Sequence, residues 1–322
     1  MLDPLIDIRM TEKSIAIGVD VGGSHVSCVA FNLVKNTYLE PTFAENDLDN
    51  HATSDVIISV WGNTIKKSMD LAGAQDVEGI GFAMPGPFNY EKGIPMFTGE
   101  NEKYEKIFGL NVPDELRKYL GLPEPFKVRF INDATAFAIG EDRAGKAKDV
   151  SNSLSITLGT GFGSAFIKDG LPVLEGEEVP KYGCLWHLPF ENGIADDYFS
   201  TRGFLNRYKE ITGTTLTGVK QLADLVDSDK MAKSLFDDFG LKLGVFLKPW
   251  ILKFGIEMLV IGGNISRAFP LFEESMKNFL FREKIEMKIS ISELKEKASF
   301  IGSAILIDDE FYNKLRPLLS KM

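Results

Sequence analysis

"SIAIGVDVGGSHVSCVAFNL", residues 14–33, sets the plan of the chain. Val, Ile and Ala cluster on both sides of one glycine pair, Gly22 and Gly23, which reads as strand, tight turn, strand: a β-hairpin. The same pattern returns at 153–170, "SLSITLGTGFGSAFIKDG", where an apolar strand again enters a glycine turn and leaves as another strand. Such self-similarity points to two related halves. A third strand ending in glycines follows at 256–269, "IEMLVIGGNISRAF", with a helix beyond.

Working outward, a third extended run is expected near 38–43. Val56, Ile57, Val60, Ile65 and Met69 recur at helical spacing over 54–72. "VEGIGFAMPGPF" is a short apolar strand stopped by Pro85, Gly86 and Pro87, and 88–111 is polar, aromatic-rich and loop-like. "PDELRKYLG" has Pro113 in its first turn and Gly121 after its last, marking a helix, with the strand "KVRFI" after it. Residues 171–215 read as loop-rich, and helices follow to about 255 with Leu241, Val245 and Leu247 expected in the core. The tail "SFIGSAILIDDEFYNKL" reads as a closing helix.

The 322 residues, 44% hydrophobic, suffice for a sizeable core, and the net charge of −10 disfavours nucleic acid as a partner. The start, "MLDPLIDIRMTEK", has no apolar leader core, and no later run has the length of a membrane helix, so a soluble, cytoplasmic protein is expected. Cys28 and Cys184 fit no CxxC spacing, and His25, His51 and His187 are the only histidines, so neither a disulfide framework nor a structural zinc site is expected. No hydrolase fingerprint is present, which leaves glycines and carboxylates to carry chemistry.

Three glycine turns follow apolar strands: "DVGGS" at 20–24, "LGTGFGS" at 158–164 and "IGGNIS" at 261–266. Glycine lets backbone amides approach a phosphate, and Ser24 and Thr160 add hydroxyl donors. Each alone is equally a plain turn; three on a repeated frame favour phosphate binding. The chain has no GxxxxGK[ST], and "GTGFGS" runs into a strand, which excludes a P-loop and a dinucleotide-binding fingerprint. In "RFINDATAFAIGE", 129–141, Asn132 and Asp133 stand between a strand and an alanine-rich helix start. They are either helix caps or a catalytic carboxylate with its neighbour at the carboxyl end of a strand.

"GVDVGGS", "GFAMPGPF", "INDATAFAIGE", "LGTGFGS" and "VIGGNIS", in this order, resemble the ROK family (repressor, open reading frame, kinase) of bacterial sugar kinases, from about Ile15 to Gly302. The resemblance implies the α/β two-domain actin-like ATPase (ribonuclease H-like) fold, with mixed sheets and an interdomain cleft. The smaller domain is expected to hold 1–131 plus 304–322, and the larger one 132–303. Implied substrates are ATP with Mg²⁺ and a sugar, with glucose as the family's commonest acceptor and C6 as the position phosphorylated. Gly22, Gly23, Ser24, Gly159, Thr160 and Gly161 are implied to hold the phosphates, and Gly262, Gly263 and Asn264 the adenosine side. Asp20 would organise Mg²⁺ through water, and Asp133 would take the proton from the attacking hydroxyl. Asn132, Pro85 and Gly86 would border the sugar, and relatives are commonly homodimers.

The chain departs from the family at "GCLWHLPFENGIADDYFS", 183–200. Where kinases of the family carry GEIGH and then a CxCGxxGC zinc motif, His187 is present, the sugar-binding glutamate falls on Cys184, and the zinc cysteines are missing. Asp196 matches a second sugar-contacting glutamate, and Glu177, Glu178 and Glu191 are available as substitutes for the one lost. A lost acceptor is compatible with fructose, mannose, N-acetylglucosamine or N-acetylmannosamine in place of glucose. Two non-enzymatic readings stand beside the kinase. A transcription regulator would need a winged helix-turn-helix ahead of the first glycine turn, and a binding protein would have lost its chemistry with Cys184. Asp20, Asp133 and the intact turns favour the kinase.

Overall fold

The structure, a computed structural model, describes residues 14–99 and 103–322. The opening segment read for a leader lies outside the described residues. The chain divides into two compact units: one comprises residues up to Gly140 together with Ser299–Ser320, the other runs from Glu141 to Ala298.

The first unit opens with the hairpin of 14–33: β1 (Ile15–Val21) pairs antiparallel with β2 (His25–Asn32), and β2 with β3 (Thr37–Asp47). Helix α1 (Ser54–Ala72) then leads to β4 (Val77–Met84), parallel to β1. A small hairpin, β5 (Phe88–Asn89) with β6 (Ile94–Pro95), precedes α2 (Val112–Leu120). Then β7 (Lys127–Asn132) lies parallel to β4 and runs directly into α3 (Asp133–Ala144). The sheet order is β3-β2-β1-β4-β7. Both faces of β1 are buried, which is why it reads as a nearly continuous apolar run. Helix α1 buries Ile57, Ile58, Trp61, Ile65 and Met69 along one stripe, while Val56 faces out. At α2 the Asn111 side chain accepts from the Asp114 amide and Gly121 ends the helix in the left-handed region.

The second unit repeats the plan. β8 (Asn152–Leu158), β9 (Phe162–Lys168) and β10 (Leu171–Pro172) pair antiparallel in succession. A short hairpin, β11 (Pro189–Phe190) with β12 (Gly193–Ile194), follows. Four helices come next: α4 (Ala195–Phe199), α5 (Thr201–Thr212), α6 (Val219–Asp224) and α7 (Lys230–Phe254). β13 (Met258–Gly262) is parallel to β8, α8 (Phe269–Arg282) packs on α7, and β14 (Lys288–Ile291) is parallel to β13. The order β10-β9-β8-β13-β14 is that of the first sheet, strand for strand: third, second, first, fourth, fifth.

Helix α9 (Glu296–Ala304) and, after a 3₁₀ turn at Ile305–Ile307, α10 (Asp309–Leu319) close the chain, so the tail is two helices where the sequence reads as one. Asp308 causes the break by capping α10, its carboxylate accepting from the amides of Glu310 and Phe311. Helix α9 seats on the first sheet through glycines. A Cβ on Gly18 would lie 2.1 Å from the Phe300 carbonyl oxygen, and one on Gly81, its partner across β1 and β4, 1.8 Å from that of Ser303.

Two further expectations need correction. Leu241 and Val245 are 37% and 43% exposed, and only Leu247 of the three is buried. Helix α7 turns Phe236, Phe239, Gly240, Leu243 and Leu247 inward, which places the other two on its outer face. Residues 171–215 are not loop throughout, since α4 and α5 fall within them. No helix among the described residues is long and apolar enough to cross a membrane.

Burial holds the Asp142 carboxyl up at about 6, with Arg143 opposing and Asp149 reinforcing. The folded chain therefore keeps a proton that the unfolded chain gives up above its ordinary carboxylate range, and stability falls as pH rises from that range through about 6. Asp142→Asn is expected to be stabilising by about 1 kcal/mol in thermal melts at neutral pH, a value discounted for partial exposure, and neutral in melts below pH ~4.

Candidate active site

In the first unit the candidate residues gather at the carboxyl ends of three adjacent parallel strands, where open α/β sheets form their ligand sites. Asp20 stands near the end of β1, opposite Ala83 on β4, and Met84 at the end of β4 is opposite Asn132 on β7. Pro85 is buried and Gly86 exposed just beyond β4.

The first glycine turn is braced through its carbonyls. Tyr104 donates its hydroxyl to Gly22 O, Asn50 donates its side-chain amide to Gly23 O, and the Leu48 amide donates to Ser24 O at 2.8 Å. The backbone amides of the exposed Gly23 and Ser24 have no partner among the described residues. A turn with its acceptors tied and its amides free is suited to an anion. Tyr104 is fully buried against Trp61 and Phe97, and its hydroxyl pKa is pushed up, first by burial and then by the charge of Asp20. It therefore stays a donor. Tyr104 lies in the stretch read as loop, with no local sequence signal for its role. With this turn holding the phosphates of ATP, as the resemblance implies, Tyr104→Phe is expected to raise KM for ATP about five- to tenfold in steady-state kinetics, the effect of losing one net hydrogen bond behind the turn.

At the start of α3 both readings of Asn132 hold in one geometry. Its Oδ1 accepts from the Thr135 amide at 3.2 Å, a helix cap, while its Nδ2 donates to Asp133 Oδ1 at 3.0 Å and to the Tyr90 hydroxyl at 3.3 Å. Asp133 Oδ1 also accepts from the Ala134 amide at 2.8 Å, so one carboxylate oxygen is fixed and the other has no partner among the described residues.

In the second unit the turn Gly159, Thr160, Gly161 is pinned from behind in the same way. Gly159 O accepts from the Thr201 amide at 2.8 Å, and the Phe162 amide donates to Asp196 Oδ1 at 2.7 Å. Asp196 Oδ2 accepts from Arg202 at 2.8 Å. One oxygen of this residue, assigned by resemblance to the sugar, thus holds the turn, and the other pairs with Arg202. The third glycine turn lies beside it: Gly262 pairs with Thr157, and Gly263, at φ +80°, would place a Cβ 2.3 Å from Leu158 O. Only glycine fits there. Asn264 is exposed at the start of a 3₁₀ turn.

His187 lies in the same unit with its ring edge-on to Trp186 and Tyr182, and Cys184 Sγ is 3.6 Å from its Nδ1. Burial, aided by the positive charge of Lys181, lowers its pKa and keeps the imidazole neutral at physiological pH. Burial raises the Cys184 thiol to about 11, so it is neither a nucleophile nor an acceptor of note. The substitute carboxylates are committed elsewhere or exposed: Glu178 pairs with Lys168 and Glu191 with Lys242, each at 3.2 Å, while Glu177 faces solvent. Among the described residues no cluster of three or more His, Cys, Asp or Glu side chains is placed to hold a metal ion.

The ROK family model matches residues 16–310. The chain belongs to the ROK family. A glucokinase of Thermotoga maritima is 26% identical over 325 residues, covering 91% of this chain and 97% of its own. An N-acetyl-D-glucosamine kinase of Haemophilus influenzae is 25% identical over 280 residues, covering 80% and 86%. A ROK-family glucokinase from Streptomyces griseus, solved in complex with glucose and AMPPNP, superposes with a TM-score of 0.70 at 19% identity, covering 91% of this chain and 99% of that one. The actin-like ATPase fold expected of a ROK protein is the one present, with two mixed sheets of the same strand order.

Proposed function

We propose that this ROK protein transfers the terminal phosphoryl group of ATP to a hydroxyl of a hexose or N-acyl hexosamine, with Asp133 as general base. Its family, with matched relatives that are sugar kinases, makes it an ATP-dependent sugar kinase. The observation that carries the proposed mechanism is the state of Asp133: one oxygen anchored by the Ala134 amide and Asn132, the other open, at the carboxyl edge of the sheet that bears Asp20.

Phosphoryl transfer needs positioning, charge compensation and one acceptor for the attacking hydroxyl's proton. The open oxygen of Asp133 is that acceptor. The amides of Gly23, Ser24, Thr160 and Gly161, which have no partner among the described residues, suit phosphate oxygens, and the exposed Asn264 with Gly262 and Gly263 suits the adenosine side. A single half-buried carboxylate, Asp20, beside free amides fits Mg²⁺, which takes one or two carboxylates and keeps its waters. Mg²⁺ bound there would offset negative charge on the phosphates. Asn132 and neutral His187 are the sugar contacts, with Pro85 and Gly86 at the border of the site.

Glucose and N-acetylglucosamine head the candidate acceptors, being the sugars named for the relatives. The test is ADP release with Mg-ATP over glucose, mannose, fructose, allose, N-acetylglucosamine and N-acetylmannosamine. Turnover on one of them, with the phosphorylated sugar recovered, is the expected result. ATP or sugar binding without turnover on any would replace the kinase by a binding protein.

A further inference from the structure

The side chains that meet His187 are a thiol and two aromatic rings, Cys184, Trp186 and Tyr182. Cys184 contributes a neutral thiol at the position where the resemblance implies a glutamate, and both oxygens of Asp196, the next carboxylate candidate along the segment, already accept, from the Phe162 amide and from Arg202. Two large rings complete the wall, Trp186 at 48% exposure and Tyr182 at 47%. Trp186 meets His187 at 5.4 Å between ring centroids and 73°, and Tyr182 meets it at 6.2 Å and 64°. Lys181 lies over the Tyr182 ring, leaving the indole as the larger open platform. The segment is anchored: Leu185 is buried with its amide on Ser164 Oγ at 2.8 Å, and Trp186 O accepts from the Asp196 amide at 3.0 Å.

We infer that Trp186 and Cys184 select a hexose that carries an apolar substituent, an acyl group or an aglycone, in place of one free hydroxyl. This rests on the reading of His187 as a sugar contact. A hydroxyl set against a thiol and an indole exchanges water for a weak acceptor, whereas an apolar group there gains by burial. Half-exposed aromatic rings beside one polar atom match a ligand that is apolar on that side and polar at a single point. N-acyl hexosamines and alkyl or aryl glucosides share this chemistry.

The test compares glucose with N-acetylglucosamine, methyl β-glucoside and phenyl β-glucoside by kcat/KM and, without ATP, by calorimetric titration. A substituted sugar is expected to be preferred about tenfold or more over glucose, the acyl and aglycone arms telling which source applies. Trp186→Ala should remove the preference through KM with kcat little changed, and Cys184→Glu should shift it back toward glucose. Equal or better use of glucose, with Trp186→Ala indifferent, overturns the inference and leaves the kinase standing. Preferential binding of a substituted sugar with no turnover on any supports the inference while the kinase reading fails.

Discussion

Asp133→Asn is expected to lower kcat by a factor on the order of 10²–10⁴, the usual contribution of a positioned general base. Asparagine keeps a carbonyl oxygen where Asp133 Oδ1 accepts from the Ala134 amide and from Asn132 Nδ2, so the start of α3 should survive. The open position becomes an amide that accepts no proton. KM for ATP should stay near the wild-type value, because the glycine turns are untouched, and the melting temperature should move little. Steady-state kinetics with thermal melts on the same preparation decide it. A loss in kcat below about tenfold would remove Asp133 from the role of base. Asp133→Ala is the harsher variant, since it also strips the Ala134 amide of its acceptor.

Gly81→Ala should be among the most damaging single methyls at the described residues, matched in closeness of backbone contact by Gly302→Ala. The added carbon would sit 1.8 Å from the Ser303 carbonyl oxygen and 2.6 Å from its carbonyl carbon, atoms of a helix backbone that no rotamer change can move aside. Overpacking in a core costs about 1–3 kcal/mol when side chains can yield; against fixed backbone the cost is expected at or above about 3 kcal/mol. The control is Gly23→Ala, where nothing lies within 4 Å of the new carbon and melting should be unchanged. A denaturant titration showing Gly81→Ala as stable as Gly23→Ala would mean that α9 does not seat on the sheet as described.

The hairpins and the glycine turns were legible because they are local. An apolar run, a glycine pair and a second run leave few alternatives, and the recurrence at 153–170 led to the second sheet. Asn132 and Asp133 were legible for the same reason, two polar residues at a strand-to-helix junction. The buried face of helix α7 was not, because Leu235, Phe236, Phe239, Leu241, Leu243, Val245, Phe246 and Leu247 surround much of its circumference and spacing alone does not choose a face. The brace behind the first turn was also hidden. Tyr104 reaches Gly22 from 82 residues away, out of a stretch with no periodicity, and only tertiary packing brings them together. Asp196 illustrates a third limit: a motif can place a residue near a site without saying which of its atoms are already in use.

The seat of α9 on Gly18 and Gly81 also orders the events of synthesis. The first sheet leaves the ribosome early, beginning with a hairpin whose contacts are local, yet the backbone that covers its glycine notch belongs to residues 299–320 and arrives after the second unit. The body of the second unit, Glu141–Ala298, lies in the interval and can complete its core as soon as β14 emerges. The half begun first is therefore finished after the second, and until then it carries an open apolar trough that a chaperone or another nascent chain can occupy.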